Sequence, residues 1–406
     1  MKTVRINTEQ SIVLVNVTLI DGTGAKAKPH STIVIKDGRI LEISNIRKDF
    51  DATTANIIDL EGKYLIPGLI DGHVHILDES KKSKGAKAEK TIAKMFRKGV
   101  TSIRDMAGNA KRLKELKEVA LQPTTPMARV YYATLVAGPE FMATDPRLKD
   151  VEILDLHENP WVIVITDSTD IPKEIARSKA FGVDAIKLYE KVPGHLAIEL
   201  IREAKKQGLQ AWAHGSVGIE GPIAVIEAHS LSHAQEIIVS DTLTTLSASA
   251  FRKVLNAPAT EQILLRMQQN NVVFDVTLGV TLKPLLKYED WEDEIGERVR
   301  SLIECLVLVT KKAFDIGVPI GVGTDTEGDV ADEMKLLVTK VKMPKIQVIR
   351  AATYNNALAL GIEDDYGTIE VGKVADMVIL NSDPLEDITN VRDIKYVIKA
   401  GHIYSK

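Results

Sequence analysis

Between Tyr64 and Asp365 the chain repeats one pattern, in which a short apolar run is followed by a segment with helical spacing of its apolar residues. The run 182–188 precedes the helical segment 196–206, and the run 209–214 precedes another from residue 222. Such alternation is typical of parallel strands joined by helices. About 300 residues of it suit an eight-stranded (β/α)8 barrel, which we place at residues 63–365.

The two ends of the chain differ from this middle part. Residues 32–43 contain two short β-rich runs around Asp37-Gly38, a strong hairpin signal. Near the C-terminus, residues 375–380 and 394–404 also have the composition of short strands. Neither end is long enough to form a core alone. We therefore predict one small composite β-sandwich domain made from residues 1–62 and 366–406.

Side chains suited to metal binding fall where the barrel strands are predicted to end. In a parallel barrel the site lies at the C-terminal ends of the strands. Residues i and i+2 of a strand share one side, so the two histidines of the first strand project together, about 6–7 Å apart along it. Two neutral imidazoles in this arrangement suit Zn²⁺ or a similar divalent metal. The strand-end candidates are His73, His75, Lys187, His214, His233 and Asp325.

Taken together, these motifs resemble those of the amidohydrolase superfamily, in particular its imidazolonepropionase-related and prolidase-like metal-dependent hydrolases. The resemblance extends over essentially the whole chain and implies a TIM barrel with a small β-sandwich domain. The matching segments are 16–24, 67–75, 99–105, 186–188, 213–215, 231–233, 323–326 and 367–380.

The resemblance also implies a dinuclear centre with two divalent metal ions, zinc being the expected one. Lys187 would be carboxylated with CO₂, and burial near cations favours the neutral amine that this reaction needs. Asp325 would act as general base and acid for a metal-bridging hydroxide that attacks the substrate carbonyl. By this resemblance His73, His75 and Asp325 hold one metal and His214 and His233 the other, with Lys187 bridging them.

Several of these positions have rivals in the sequence. His229 shares the face of its strand with His233, which we prefer because it is nearer the strand end and matches the family motif. Asp105, Glu327 and Asp329 are alternative carboxylates to Asp325, but none of them matches both a strand end and the motif.

Three residues are candidates for substrate contact. Tyr189 lies two residues past Lys187 and shares its face, so its hydroxyl can reach a substrate carbonyl or carboxylate. Arg104 and Asp105 end the second strand, where Arg104 can contact substrate or the two can simply pair with one another, and His195 follows a Pro-Gly turn. Residues 131–147 lack the His-Gly-Asp-type loop of prolidase-like relatives, which argues against Xaa-Pro dipeptidase activity itself.

These observations favour hydrolysis of an amide bond in a dipeptide, an N-acyl amino acid or a cyclic amide. A mononuclear aminohydrolase, or deaminase, is the enzymatic alternative, but the glutamate expected shortly after His214 is replaced by Gly215-Ser216-Val217. A non-catalytic barrel scaffold is a third possibility, although such proteins usually lose ligands and all six candidates are present here.

Composition and charge bear on location and partners. The net charge of −4 gives no basic excess for nucleic-acid binding. No apolar stretch has the length of a membrane span, and the first residues lack the pattern of a secretory signal. We therefore expect a cytoplasmic protein that acts on a small molecule without membrane association. A homo-oligomer is expected from the family resemblance.

Overall fold

The computed structural model describes residues 1–4, 10–45, 53, 55–77, 85–106, 108–144, 161–215, 221–237, 248–326 and 328–405. These residues form a barrel of parallel strands and a mostly antiparallel sheet from both chain ends. In chain order the strands are β1 (Lys2–Thr3), β2 (Ser11–Leu19), β3 (Lys28–Lys36), β4 (Arg39–Ser44), β5 (Ala55–Asp59), β6 (Tyr64–Pro67), β7 (Leu69–Val74), β8 (Val100–Asp105), β9 (Arg129–Ala137), β10 (Val162–Val164), β11 (Ala185–Leu188), β12 (Gln210–His214), β13 (Ser230–Ser232), β14 (Val273–Asp275), β15 (Ile320–Gly321), β16 (Met377–Leu380), β17 (Ile394–Lys399) and β18 (His402–Ser405).

Helices occupy the connections between most barrel strands. None of the helices in the described ranges is both long and apolar enough to span a membrane. In chain order they are α1 (Gly85–Arg97), α2 (Ala110–Leu121), α3 (Pro139–Thr144), α4 (Ile171–Phe181), α5 (Gly194–Gln207), α6 (Pro222–Val225), α7 (Ala248–Leu255), α8 (Pro258–Gln269), α9 (Leu278–Leu286), α10 (Glu294–Ile316), α11 (Val330–Thr339), α12 (Lys345–Arg350) and α13 (Asn356–Leu360), with a π-helical turn at Ala351–Asn355 and 3₁₀ turns at Ala234–Ile237 and Ile388–Arg392.

The barrel strands follow the order β7-β8-β9-β11-β12-β13-β14-β15, and each neighbouring pair is parallel. Two backbone hydrogen bonds link the first strand to the segment after the last strand. The Gly72 amide donates to the Val322 carbonyl at 2.8 Å, and the Asp325 amide donates to the His73 carbonyl at 2.8 Å. The (β/α)8 barrel predicted from the sequence is thereby confirmed.

Side chains fill the interior of the barrel below the strand ends. Trp212 of β12 is fully buried there and packs with Ile70 and Ala185 from two other strands. Its indole Nε1 donates to the Ala359 carbonyl of α13 at 2.8 Å. This packing closes the lower part of the barrel, so the polar strand-end residues form a layer above an apolar one.

The terminal sheet joins the two ends of the chain through β6 and β16, which pair antiparallel with Leu65 opposite Ile379. The β3–β4 hairpin turns at Asp37 and Gly38, which have φ angles of 51° and 76° as a primed two-residue turn requires. The composite β-domain predicted from both chain ends is thus part of the fold. Its division from the barrel at residues 62/63 and 365/366 stays a prediction. The apolar core of the sheet includes Leu14, Leu19, Ile33, Leu65, Met377, Ile379 and Ile398.

The terminal sheet packs against the lower end of the barrel. Arg129, the first residue of β9, forms a buried ion pair with Asp376 just before β16. The Tyr404 hydroxyl donates to the Pro123 carbonyl in the loop before β9 at 2.8 Å, and the Tyr404 ring packs edge-on against Phe96 of α1. The sheet therefore contacts the end of the barrel opposite the strand-end residues.

Candidate metal centre

The first group of ligand atoms forms where the barrel closes between β7 and the segment after β15. The Nε2 atoms of His73 and His75 lie 3.3 and 3.2 Å from Oδ1 of Asp325. All three side chains offer a ligand atom within 4.8 Å of the others. Two imidazoles and a carboxylate converging in this way can hold a divalent cation.

A second pair of histidines lies beside this group. His214 ends β12 and His233 follows β13, and their Nε2 atoms are 2.9 Å apart. His233 Nδ1 is 2.6 Å from the Thr277 hydroxyl. The His233 ring centroid is 4.9 Å from that of His73, so the two groups share one site.

Lys187 of β11 is buried beside both groups. Its Nζ donates to the Ser232 hydroxyl at 3.4 Å, a long hydrogen bond. Burial lowers the pKa of Lys187 to about 7, repulsion from Arg104 adds to this shift, and the carboxylates of Asp275 and Asp325 oppose it. The neutral amine is therefore far more accessible at neutral pH than in an exposed lysine.

The environment of the site favours the neutral form of three of its imidazoles, those of His73, His214 and His233. Burial lowers the pKa of His73 and His214 well below the ordinary value, and it lowers the pKa of His233 to about 4. Burial alone would raise the pKa of Asp325, but the neighbouring imidazoles together lower it below its ordinary value. Neutral imidazoles and an ionised carboxylate are the protonation states in which these groups bind metals.

The donor set fits a divalent cation at His73, His75 and Asp325, and a further pair of ring nitrogens lies beside it. His214 and His233 point ring nitrogens at each other at 2.9 Å, and two lone pairs at this distance need a shared proton or a cation to avoid repulsion. His73, His75 and Asp325 supply a separate set of donors. Nitrogen and oxygen donors of this kind suit zinc and several other first-row metals.

Three backbone conformations around the site are unusual for residues with side chains. His233, Thr277 and Asp325 have φ angles of 71°, 43° and 52°. This left-handed region costs free energy for residues other than glycine and recurs at functional sites. The surrounding structure therefore holds these side chains at the strand ends at some cost in stability.

Asp275 is the main site residue that the sequence analysis did not single out. It ends β14 and is fully buried, and its Oδ2 lies 2.7 Å from Nδ1 of His73. Burial raises the pKa of Asp275, and the Arg104 guanidinium opposes that shift. The strand-end rule could have identified Asp275 from the sequence. Asp275 ends the apolar run 271–275, just as the proposed ligands end other apolar runs.

Arg104 lies beneath the site rather than at its surface. Its side chain is about 1% exposed and donates to Asp275 Oδ2 at 2.9 Å and to the Ser230 hydroxyl at 2.6 Å, as well as to the Gly72 carbonyl. The direct substrate contact expected for Arg104 is at odds with this position, because its guanidinium is enclosed and already has three acceptors. The sequence alternative named Asp105 as the carboxylate partner of Arg104, whereas the carboxylate that its guanidinium binds at 2.9 Å is Asp275.

The other two predicted substrate contacts lie in different surroundings. The Tyr189 ring packs edge-on against His214, with centroids 4.5 Å apart, and against Phe141 of α3 at 5.2 Å. Tyr189 is therefore part of the wall of the site. His195 is 68% exposed and pairs with Asp167 at 3.1 Å, so the structure does not bring its side chain to the metal-binding groups.

The residues considered as alternatives to His233 and Asp325 do not join the metal-binding groups where the structure describes them. His229 precedes β13, at the lower end of the strand, and its Nδ1 accepts a hydrogen bond from the Ala211 amide at 2.9 Å. Asp105 accepts a backbone hydrogen bond, and Asp329 caps the N-terminus of α11. Glu327 lies outside the described residues.

A parallel barrel with histidine, lysine and aspartate side chains converging at its strand ends defines a hydrolase class whose members generally depend on metals. The amidohydrolase family model matches residues 64–404. The chain belongs to the amidohydrolase family, and it is an enzyme acting on carbon–nitrogen bonds.

Known proteins resemble the chain over nearly its full length. Imidazolonepropionase of Phocaeicola vulgatus is 23% identical over 453 residues, covering 97% of this chain and 98% of that protein. The crystal structure of A. niger ochratoxinase has a TM-score of 0.77 at 20% identity, covering 98% of this chain and 96% of that one. A Xaa-Pro dipeptidase crystallised with methionine in its active site has a TM-score of 0.74 at 20% identity, covering 98% and 100%.

Proposed function

We propose that this amidohydrolase is a dinuclear metal-dependent enzyme that cleaves an amide bond in a dipeptide, an N-acyl amino acid or a cyclic amide. One observation carries the proposal. The facing nitrogens of His214 and His233 stand beside, and in addition to, the donor set of His73, His75 and Asp325. The site thus has separate donors for two cations, where a mononuclear aminohydrolase needs only one.

Lys187 completes the proposed ligand set as a carbamate. Its neutral amine would add to the carbon of CO₂ with loss of one proton to solvent, giving a carboxylate-like group with two oxygen donors. The Lys187 ammonium group contributes to the lowered pKa of both His73 and His214, which supports its nearness to both histidine groups. Divalent metals in such a site, with zinc the one we favour, supply Lewis-acid polarisation of the substrate carbonyl and a more acidic water.

Asp325 is the proposed general base and acid. Its Oδ1 faces the Nε2 atoms of His73 and His75, while its Oδ2 is 3.9 Å from His233 Nδ1. We assign the transferred proton to Oδ2, the oxygen less engaged by the histidines. Asp325 would accept a proton from the attacking water there and then deliver it to the leaving nitrogen.

The aromatic side chains beside His214 indicate which kind of substrate group the site can accept. Tyr189 and Phe141 pack edge to face there and present aromatic surface next to the site. This surface suits an apolar or ring-containing group beside the scissile bond. Similarity to imidazolonepropionase supports cleavage of a carbon–nitrogen bond in general. Homo-oligomerisation and a cytoplasmic location stay predictions.

Elemental analysis of protein purified with bicarbonate tests this proposal. Close to two metals per chain are expected for the wild type and fewer for Lys187→Ala, with a matching loss of the mass of one CO₂ at Lys187 in native mass spectrometry. Lys205→Ala, which removes an exposed lysine of α5, is the matched control and should keep the wild-type content.

Different outcomes separate the alternatives. One metal per chain that Lys187→Ala does not affect would overturn the dinuclear centre and favour a mononuclear aminohydrolase. No metal at all would favour the non-catalytic scaffold. If two metals bind, a screen of dipeptides, N-acyl amino acids and cyclic amides should identify the substrate class, whereas release of free ammonia from aminated rings would contradict it.

A further inference from the structure

We infer that Asp275 is a positioning residue that fixes the tautomer of His73, so that the ring presents its Nε2 lone pair to the first cation position. The inference rests on the proposed role of His73 as a metal ligand. It assigns a task to a buried carboxylate that is not itself part of the ligand set.

The two nitrogens of the His73 ring face two different carboxylates. Nδ1 lies 2.7 Å from Oδ2 of Asp275, and Nε2 lies 3.3 Å from Oδ1 of Asp325. A neutral imidazole carries one N–H and one lone pair, so only one of its nitrogens can bind a metal directly. The ring can therefore serve as a ligand through Nε2 only if the proton is on Nδ1.

The surroundings of Asp275 decide which atom donates. The Arg104 guanidinium, which can only donate, lies 2.9 Å from the same Oδ2. The Ser232 hydroxyl also donates to Oδ2 at 3.4 Å. Since Oδ2 already acts as an acceptor, His73 Nδ1 is the donor in the 2.7 Å contact. Carboxylates in this position are known to orient metal-binding histidines.

The contact is built into the packing of the barrel. Asp275 comes from β14 and Arg104 from β8, and both are buried. A Cβ atom at Gly323 would lie 2.4 Å from Cβ of His73 and 2.5 Å from Oδ1 of Asp275. The absence of a side chain at residue 323 therefore lets the backbone close over the pair, which leaves the carboxylate little room to turn away.

Two double variants test this assignment while avoiding a buried unpaired charge. Asp275→Asn/Arg104→Met and Asp275→Leu/Arg104→Met both remove the Arg104–Asp275 ion pair and differ only at residue 275. Asparagine keeps an acceptor oxygen for Nδ1, and leucine has a similar volume without one. Replacing both members of a buried ion pair is tolerated far better than replacing one.

Nitrogen-15 NMR of ring-labelled, metal-free protein reports the tautomer of His73 directly. The Nδ1–H tautomer should dominate in the wild type and in the Asn/Met variant, and the Leu/Met variant should lose this preference. Zinc affinity, measured by competition with a chelator, should fall roughly 10–100-fold in the Leu/Met variant relative to the Asn/Met variant.

The two measurements separate failure of the inference from failure of the proposed function. The same His73 tautomer in both double variants would overturn the inference, as would equal zinc affinities. A wild type that binds neither zinc nor another divalent first-row metal would instead overturn the proposed metal centre, whatever the tautomer. If the Leu/Met variant does not fold, Asp275→Ala/Arg104→Met replaces it in the test. Loss of the Nδ1–H tautomer in this folded variant would support the inference, and retention of that tautomer would overturn the inference.

Discussion

Lys187 and Lys399 are both buried, but they lie at opposite ends of the barrel with different partners. Lys399 of β17 donates to four backbone carbonyls at the end of α2 and in the loop before β9, at distances of 2.5–3.1 Å. Lys187 has the long hydrogen bond to Ser232 and lies near the imidazoles of His73, His214 and His233. Burial lowers the pKa of each amine to about 7, so the degree of burial does not distinguish them.

The partners do distinguish them. Carbonyl oxygens at the C-terminus of a helix stabilise a cation and hold it in place, so Lys399 clamps the terminal sheet to the barrel. The Asp275 and Asp325 carboxylates only partly offset the burial of Lys187, and its hydrogen bond to Ser232 is long, so its neutral amine stays accessible. We therefore propose that polar residues at the strand ends serve chemistry and that those at the lower end serve stability.

The largest expected effect is on catalysis, from Asp325→Asn. The amide cannot accept a proton from the attacking water, so kcat should fall on the order of 10³-fold with the best substrate of the screen. The fold should persist, because Asp325 is at the strand ends and not in the apolar core. Steady-state kinetics and circular dichroism check this.

The matched control is Asp329→Asn, four residues further on. Asp329 caps α11 and pairs with Arg392, and asparagine is about as good a helix cap as aspartate. This variant should keep a kcat close to that of the wild type. An active Asp325→Asn enzyme, or a greater loss in Asp329→Asn, would contradict the assigned general base.

Lys399→Met should act on stability and not on chemistry. It leaves the carbonyls at the end of α2 without their donor in a buried place, which should lower the free energy of unfolding by about 3 kcal/mol. Urea denaturation measures this, with Lys395→Met on the same strand as the control for loss of a partly exposed lysine. Metal content and kcat of the folded protein should match the wild type. Lost activity at wild-type stability would break the proposed division of roles.

Much of the fold could be predicted from the sequence because it follows from local patterns. Alternating apolar runs and helical segments indicated the parallel strands, and the Asp37-Gly38 turn indicated a hairpin. The strand-end rule then identified His73 and Asp325, which the structure places in contact although they are 252 positions apart in the chain. A side chain's place at a strand end is a local property, and the barrel brings the ends together.

The partners of these residues were not predictable in the same way. Arg104 stands at a strand end like the candidate ligands, yet it turns inward to Asp275, 171 residues away. Lys399 stands in an apolar strand with no sign of the α2 carbonyls that it caps. Such contacts depend on which strands and loops face each other across the barrel, and a single sequence contains no direct signal for that pairing.

The smallest expected effect concerns His229, whose Nδ1 accepts from a backbone amide at the lower end of the barrel. Burial, with a contribution from Lys205, lowers the pKa of His229 from 6.5 to about 4. The folded protein therefore binds this proton less readily than the unfolded chain. The stability from the neutral ring is fully present above pH 6.5 and is lost as the pH falls toward about 4.

His229→Gln removes this titration while keeping a side chain that can accept from the Ala211 amide. The free energy of unfolding should fall in both proteins when the pH is lowered from about 7.5 to about 5. Because the ring is partly exposed, we expect the fall to be smaller in the variant by only on the order of 1 kcal/mol. Thermal unfolding of metal-free protein at both pH values measures the difference, and kcat should not change. If the variant has the same pH dependence as the wild type, His229 does not contribute to the acid sensitivity. If the variant has a lower kcat, the lower end of the barrel takes part in catalysis and the proposed division of roles is wrong.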